Sequence, residues 1–181
     1  MAADKQEVLP KVVAFDLDAT LWYPEMYQLW GGGSPFKKNN DKTLTDRSGT
    51  RCYLMGNTAE ILREIKTSPR WKGAKIAYCS CTDEPTWADE CMRLFEIGDG
   101  MTLESVVDIK EIFKSSKSTH FRNIHKKTGI PYEDMIFFDN EAHNCHTVAP
   151  LGVTCIHTPR GMTEEVWKNG LRQFAKNRGK K

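Results

Sequence analysis

Four short apolar runs recur along the chain, at residues 12–16, 75–79, 135–139 and 153–157, with a shorter one expected near 105–109. They are strand-length, bounded by polar residues and carry β-branched or aromatic side chains, so each reads as a buried strand. Helical patterns separate them. Asn57 followed by Glu60 opens a helix through Ile61, Leu62 and Ile65 as a variant capping box. Trp87, Cys91, Leu94 and Phe95 fall at helical spacing over residues 84–95, with Pro85 in the first turn. Residues 117–127 carry Phe121 and Ile124, and Gly129 offers a C-terminal stop. Patterns over 141–149 and 164–175 complete the series. Strands that alternate with helices require a parallel sheet covered on both faces, an α/β fold.

The ends of these runs carry the chemistry. The first stops at Asp16-Leu17-Asp18-Ala19-Thr20. A bare carboxylate buried at a strand end costs several kcal/mol unless it is paired. Two of them call for a strong positive partner, most simply a hard cation such as Mg²⁺. Strand ends are also where open α/β sheets place their ligands. Phosphoryl transfer uses such a pair, one aspartate attacking phosphorus and the other moving a proton. Taken alone, the motif also reads as an Asp-rich turn.

Three further junctions supply what a phosphate needs. The second run ends Ser80-Cys81-Thr82, where hydroxyls and the free N–H groups of a starting helix form a phosphate cradle; a plain helix cap is the other reading. Lys117 stands where a loop enters a helix and offers a point charge. The third run ends Asp139-Asn140-Glu141. Asp16, the Asp18 carbonyl and Asp139 fit Mg²⁺, with Asn140 adding an amide oxygen or a contact through water. His143, Cys145, His146, Cys155 and His157 look like a zinc cluster, but their spacing matches no closed module, and packing of the thiols is expected instead.

Residues 11–175 form one expected domain, between an N-terminal tail over 1–10 and a frayed basic tail over 176–181. Its irregular part, about 23–52, contains Gly31-Gly32-Gly33-Ser34-Pro35 and follows the aspartates directly, as either a lid over the site or a mobile surface loop. The net charge of +2 gives no field for nucleic acid or an acidic membrane, and no stretch approaches the ~20 apolar residues of a bilayer span. The six cysteines are irregularly spaced, as suits reduced thiols in the cytoplasm, and no secretory signal opens the chain.

With these residues assembled, the chain resembles the haloacid dehalogenase-like superfamily and, within it, the eukaryotic magnesium-dependent phosphatase family. The likeness rests on Phe15-Asp16-Leu17-Asp18-Ala19-Thr20-Leu21-Trp22, Ser80-x-Thr82, Lys117-Ser118-Thr119-His120-Phe121, His125-Lys126-Lys127-Thr128-Gly129-Ile130-Pro131, Phe137-Phe138-Asp139-Asn140-Glu141 and Leu151-Gly152-Val153-Thr154-Cys155-Ile156-His157. It implies a Rossmann-like, doubly wound domain with a short flap and no large cap, which hydrolyses phosphomonoesters through an aspartyl-phosphate. Asp16 is then the nucleophile and a metal ligand, and Asp18 the general acid and base with its carbonyl on Mg²⁺. Thr20, Ser80, Cys81, Thr82 and Lys117 hold the phosphate; Asp139 and Asn140 complete the metal site. The implied substrates are a phosphoprotein, through phosphotyrosine, or a small molecule, a sugar phosphate on a glycated amine (a fructosamine phosphate). Two positions depart from the pattern: Cys81 stands for an arginine and Asn140 for a second aspartate. The first bears on substrate preference, since a thiol cannot replace a bidentate cation; the second removes one negative charge from the metal site.

A sugar-phosphate mutase or phosphotransferase is a rival reading, and the lack of a second domain to exclude water argues against it. A non-catalytic phosphoprotein-binding module is another, supported by Cys81 and Asn140. Oligomeric state is not readable.

Overall fold

The computed structural model describes residues 7–179. In chain order the strands are β1 (Val12–Phe15), β2 (Trp22–Tyr23), β3 (Lys37–Lys38), β4 (Leu44–Thr45), β5 (Arg51–Leu54), β6 (Lys75–Ser80), β7 (Glu96–Gly98), β8 (Met101–Thr102), β9 (Ile109–Ile112), β10 (Met135–Asp139) and β11 (Thr154–His157). The helices are α1 (Thr58–Thr67), α2 (Pro85–Leu94), α3 (Leu103–Val106), α4 (Lys117–Thr128), α5 (Ala142–Val148) and α6 (Glu164–Arg178). Five strands build the central sheet in the order β11-β10-β1-β6-β9, every neighbouring pair parallel.

The strand sequences explain why both faces are covered. Successive side chains of a strand point to opposite faces. Val13, Phe15, Ile76, Tyr78, Ile136 and Phe138 enter one core with Leu62, Ile65, Met92, Trp167 and Phe174 of α1, α2 and α6. Val12, Ala14, Ala77, Cys79, Met135 and Phe137 enter a second core with Phe121 and Ile124 of α4 and Val148 of α5. Apolar residues at every position are what a strand buried on both sides requires. The fold is the expected α/β, Rossmann-like sheet.

The topology also locates the site. From β1 the chain steps to β6 and β9 on one side, then crosses to β10 and β11 on the other. This reversal at β1 is the switch point where such sheets bind ligands, beyond their strands' C-terminal ends. Asp16, Ser80 and Asp139 all lie at that edge.

Several details differ from expectation. The weak strand expected near 105–109 lies later, at β9. Leu103 and Val106 bury at i, i+3 spacing in α3, which Thr102 caps by accepting from Ser105 N at 3.2 Å. Asn57 does not form a capping box; its side-chain oxygen accepts from Glu164 N at 3.2 Å instead. Within the N-terminal tail, residues 1–6 lie outside the described residues, but Pro10 is buried and Glu7 pairs with Arg70 at 2.8 Å. α6 runs to Arg178, which pairs with Asp134 at 2.9 Å, so only Lys180 and Lys181 of the expected basic tail lie outside the described residues.

Residues 23–52 are neither a loose loop nor a separate cap. Their short strands join β2 in a four-stranded antiparallel sheet, β2-β5-β4-β3. Leu44, Cys52 and Phe36 bury into the main core. Asp46 is buried too and accepts backbone bonds from Gly33 at 2.8 Å, Thr50 at 2.7 Å and Ser48 at 3.0 Å. Gly33 has φ +82° and its missing side chain leaves room for the Trp87 ring, so glycine is required there twice over. Among the described residues no helix is long and apolar enough to cross a membrane.

Candidate active site

Lys117 organises the strand ends. It opens α4, whose first turn is fixed by Ser116 accepting from Thr119 N at 3.3 Å. Its side chain runs inward, only 2% exposed, where an isolated ammonium would be prohibitive. Three acceptors compensate. Nζ lies 2.6 Å from Asp16 Oδ1, 3.4 Å from Asp139 Oδ2 and 2.5 Å from the Cys79 carbonyl. Burial works against the charge, but the two carboxylates outweigh it and hold the Lys117 pKa above its ordinary value. One ammonium thus touches acids from two strands.

Asp18 follows a turn later and faces differently. The Trp22 indole donates to its Oδ1 at 2.7 Å. Burial first, then the neighbouring Asp16 charge, push the Asp18 carboxyl up to about 7. A carboxyl so placed can exchange a proton near neutrality, the range that general acid–base catalysis uses.

Asp139 is fully buried at the end of β10. Its Oδ1 accepts from Glu141 N at 2.8 Å and its Oδ2 from Asn144 Nδ2 at 3.0 Å, which ties it to the start of α5. Burial and Asp16 raise its pKa while Lys117 opposes them. Asn140 turns back toward β1. Its side-chain amide places one polar atom 3.1 Å from both the Asp18 carbonyl oxygen and Asp16 Oδ2. With nitrogen there, the amide donates to both; with oxygen there, three acceptors crowd together. Such a cluster of oxygens is the donor set of a hard cation. The residues present therefore fit Mg²⁺.

A cavity of about 210 Å³ opens over these groups, lined by Asp16, Asp18, Ser80, Cys81, Thr82, Lys117 and Asn140 with Glu25, Tyr27, Asp83, Glu141 and Asn144. The structure thus brings the nine expected site residues together, seven on the cavity wall, Asp139 behind Lys117 and Thr20 beneath Asp16 and Asn140. Thr20 is different. It is fully buried and off the wall, its Oγ1 3.3 Å from both Asp16 Oδ2 and Asn140 Oδ1 and accepting from Asn140 N at 3.1 Å. It ties the loop that carries Asp16 to Asn140. Ser80 and Thr82 do not cap α2: Ser80 Oγ accepts from Thr82 N at 3.3 Å and Thr82 Oγ1 from Glu84 N at 3.0 Å. Cys81 donates its thiol proton to the Ser115 carbonyl at 2.9 Å, and burial raises its pKa, so it faces the cavity as a neutral group.

Glu25, Asp83 and Asn144, which also line the cavity, were not singled out from the sequence. Asn144 carried a usable signal, since a polar residue one turn into a helix can reach back to the strand that precedes it. Among the described residues, no three of the histidine, cysteine and acidic side chains gather as a metal cluster. Cys145 and Cys155 are thiols that burial pushes up to about 12.

A family model described as acid phosphatase matches residues 8–177. The chain belongs to the acid phosphatase family. Within the family's reach, magnesium-dependent phosphatase 1 of Homo sapiens is 38% identical over 171 residues, covering 93% of this chain and 89% of that protein. A HAD-like hydrolase superfamily protein of Schizosaccharomyces pombe is 33% identical over 180 residues, covering 93% and 94%. Two solved structures share the fold at low identity. The N-terminal part of a Bacteroides fragilis protein, containing a phosphatase domain complexed with Mg, aligns with TM-score 0.61 at 18% identity, covering 93% of this chain and 41% of that one. A HAD family enzyme from Bacteroides thetaiotaomicron aligns with TM-score 0.59 at 13% identity, covering 88% and 98%. The fold is haloacid dehalogenase-like, and the chain is a phosphatase.

Proposed function

We propose that this phosphatase hydrolyses phosphomonoesters in two in-line displacements through an aspartyl-phosphate on Asp16. The reading is carried by one observation, the buried Lys117 ammonium in contact with both Asp16 and Asp139 beside a carboxyl, Asp18, that titrates near neutrality. Magnesium is the cofactor; Asp16, the Asp18 carbonyl and the Asp139–Asn140 pair would hold it, and when bound it offsets the repulsion between phosphate and carboxylate.

Asp16, oriented by Lys117, attacks phosphorus as the bond to the leaving oxygen breaks. Asp18 delivers its proton to that oxygen. The resulting Asp18 carboxylate then takes a proton from water, whose oxygen attacks phosphorus and returns Asp16 as a free carboxylate. Ser80, Thr82 and Lys117 stabilise charge on the equatorial oxygens. Trp22 keeps Asp18 aimed throughout.

A phosphotyrosine side chain on a protein and a sugar phosphate on a glycated amine both suit a site with no large cap over it. The reduced, mostly buried cysteines suit a cytoplasmic protein. The test is phosphate release from p-nitrophenyl phosphate with and without Mg²⁺. Asp16→Asn is expected to lose on the order of 10³-fold or more in kcat. Undiminished turnover by that variant refutes the mechanism, and phosphate-ester binding without turnover by the parent favours a binding module instead.

A further inference from the structure

The cavity over Asp16, about 210 Å³, is a cleft open to solvent, with Lys117 and Ser80 inside and Glu25, Tyr27, Asp83 and Glu141 along its wall. With the phosphate held beside Asp16, the alcohol part of an ester lies toward the open side. What stands there governs which alcohols are accepted.

The mouth is built on the flap. Residues Met26–Leu29 form a single 3₁₀ turn, nailed down by Met26 and Leu29, which are 0% and 1% exposed. Glu25 and Gln28 lock its start reciprocally, with Glu25 N donating to Gln28 Oε1 at 3.0 Å. Between these anchors Tyr27 stands 64% exposed on the cavity wall. A large aromatic ring held out on a fixed turn sheds apolar area when another group packs on it, and a second ring gains a stacking contact besides. Its rotamer entropy is low and its backbone is already ordered, so binding there costs little.

Charge at the mouth is one-sided. Glu25, Asp83 and Glu141 line it. Lys114 neutralises Asp83 at 2.7 Å, but Lys117 is spent on Asp16 and Asp139 in the interior. Position 81, which lines the same wall, is a neutral thiol. Glu141 has only His143 Nδ1 at 3.7 Å, Glu25 takes a hydrogen bond from the Tyr27 side chain, and among the described residues no lysine or arginine pairs with either acid.

We propose that Tyr27 and Glu25 form a leaving-group subsite that selects phosphomonoesters whose alcohol part is a flat ring free of further negative charge. The proposal deepens the phosphatase reading above and rests on it. Tyr27 supplies the stacking face. Glu25 repels an acidic substituent, at a distance from the reacting atoms that leaves the phosphate chemistry alone.

The experiment compares phenyl phosphate, 4-carboxyphenyl phosphate and propyl phosphate in the full chain with Mg²⁺. Each variant is divided by the parent on the same substrate, so intrinsic leaving-group reactivity cancels. Tyr27→Ala is expected to lower kcat/KM for phenyl phosphate about tenfold, mostly through KM. Propyl phosphate should change less than about twofold, and so should the inhibition constant for inorganic phosphate. Tyr27→Phe, which keeps the ring, should recover most of the loss. Glu25→Gln should narrow the preference for phenyl over 4-carboxyphenyl phosphate by about threefold or more. Equal losses on the ring and chain substrates, or an unchanged preference in Glu25→Gln, overturn the subsite while leaving the phosphatase reading intact. Absence of turnover by the parent on all three esters overturns both.

Discussion

At Asp18 opposing forces act on one carboxyl. Burial and the Asp16 charge favour the neutral form, and the Trp22 indole bond favours the ionised one; the balance sits at about 7. The sign of the consequence follows from that balance. Asp18 is protonated below about 7 and loses its proton above it, so leaving-group protonation fails as pH rises. The rate on alkyl phosphates should therefore decline through that range, and the decline should be shallower for p-nitrophenyl phosphate, whose leaving oxygen needs little help. Stability moves the same way. Between about 4, the unfolded value, and about 7, the fold retains a proton that the unfolded chain has released, so this group's contribution diminishes as pH rises. Asp18→Asn should accordingly be at least as stable as the parent at pH about 8 by thermal melting, while kcat falls about 10²–10⁴-fold.

At the scale of elements, the flap shows where sequence reasoning reached its limit. The four long strands and the main helices were legible because burial on both faces and helical periodicity each leave a pattern within one segment. The two-residue strands β2, β3 and β4 leave none; they exist only because distant partners complete them. β9 was misplaced because the apolar spacing of Leu103 and Val106 belongs to a one-turn helix. The aspartates and Lys117 were legible as chemistry, since a charge at the end of an apolar strand needs a reason. The tie from Thr20 to Asn140 was not, because nothing in a sequence announces a bond between loops 120 positions apart. The same holds for Asp46. Burial would raise its pKa, but backbone donors from Gly33, Thr50 and Ser48 lower it overall. Its contribution is present above about 4 and is lost as pH falls through its depressed folded value. Asp46→Ala should cost about 1–3 kcal/mol, read as a lower Tm and faster proteolytic cleavage within residues 23–52.

For the molecule as a whole, a ligand that binds only the folded site must stabilise the entire fold. Saturating Mg²⁺ at about 100 times its Kd should add roughly 2.7 kcal/mol to unfolding and raise Tm. Asp139→Asn should reduce that shift. Asn140→Asp, which restores a negative charge beside the Asp18 carbonyl, should reach the same shift at a lower Mg²⁺ concentration. Chelation should return each protein to its metal-free melting point.

The placement of β1 in the middle of the sheet has a consequence for how the chain is made. The earliest strand of the sheet, Val12–Phe15, waits for one of its two neighbours, β10, which begins only at Met135. The Thr20–Asn140 bond spans 120 positions. Until β10 is made, one edge of β1 has no strand beside it, and the contacts of Lys117 with Asp16 and Asp139 can form only once Asp139 has been added.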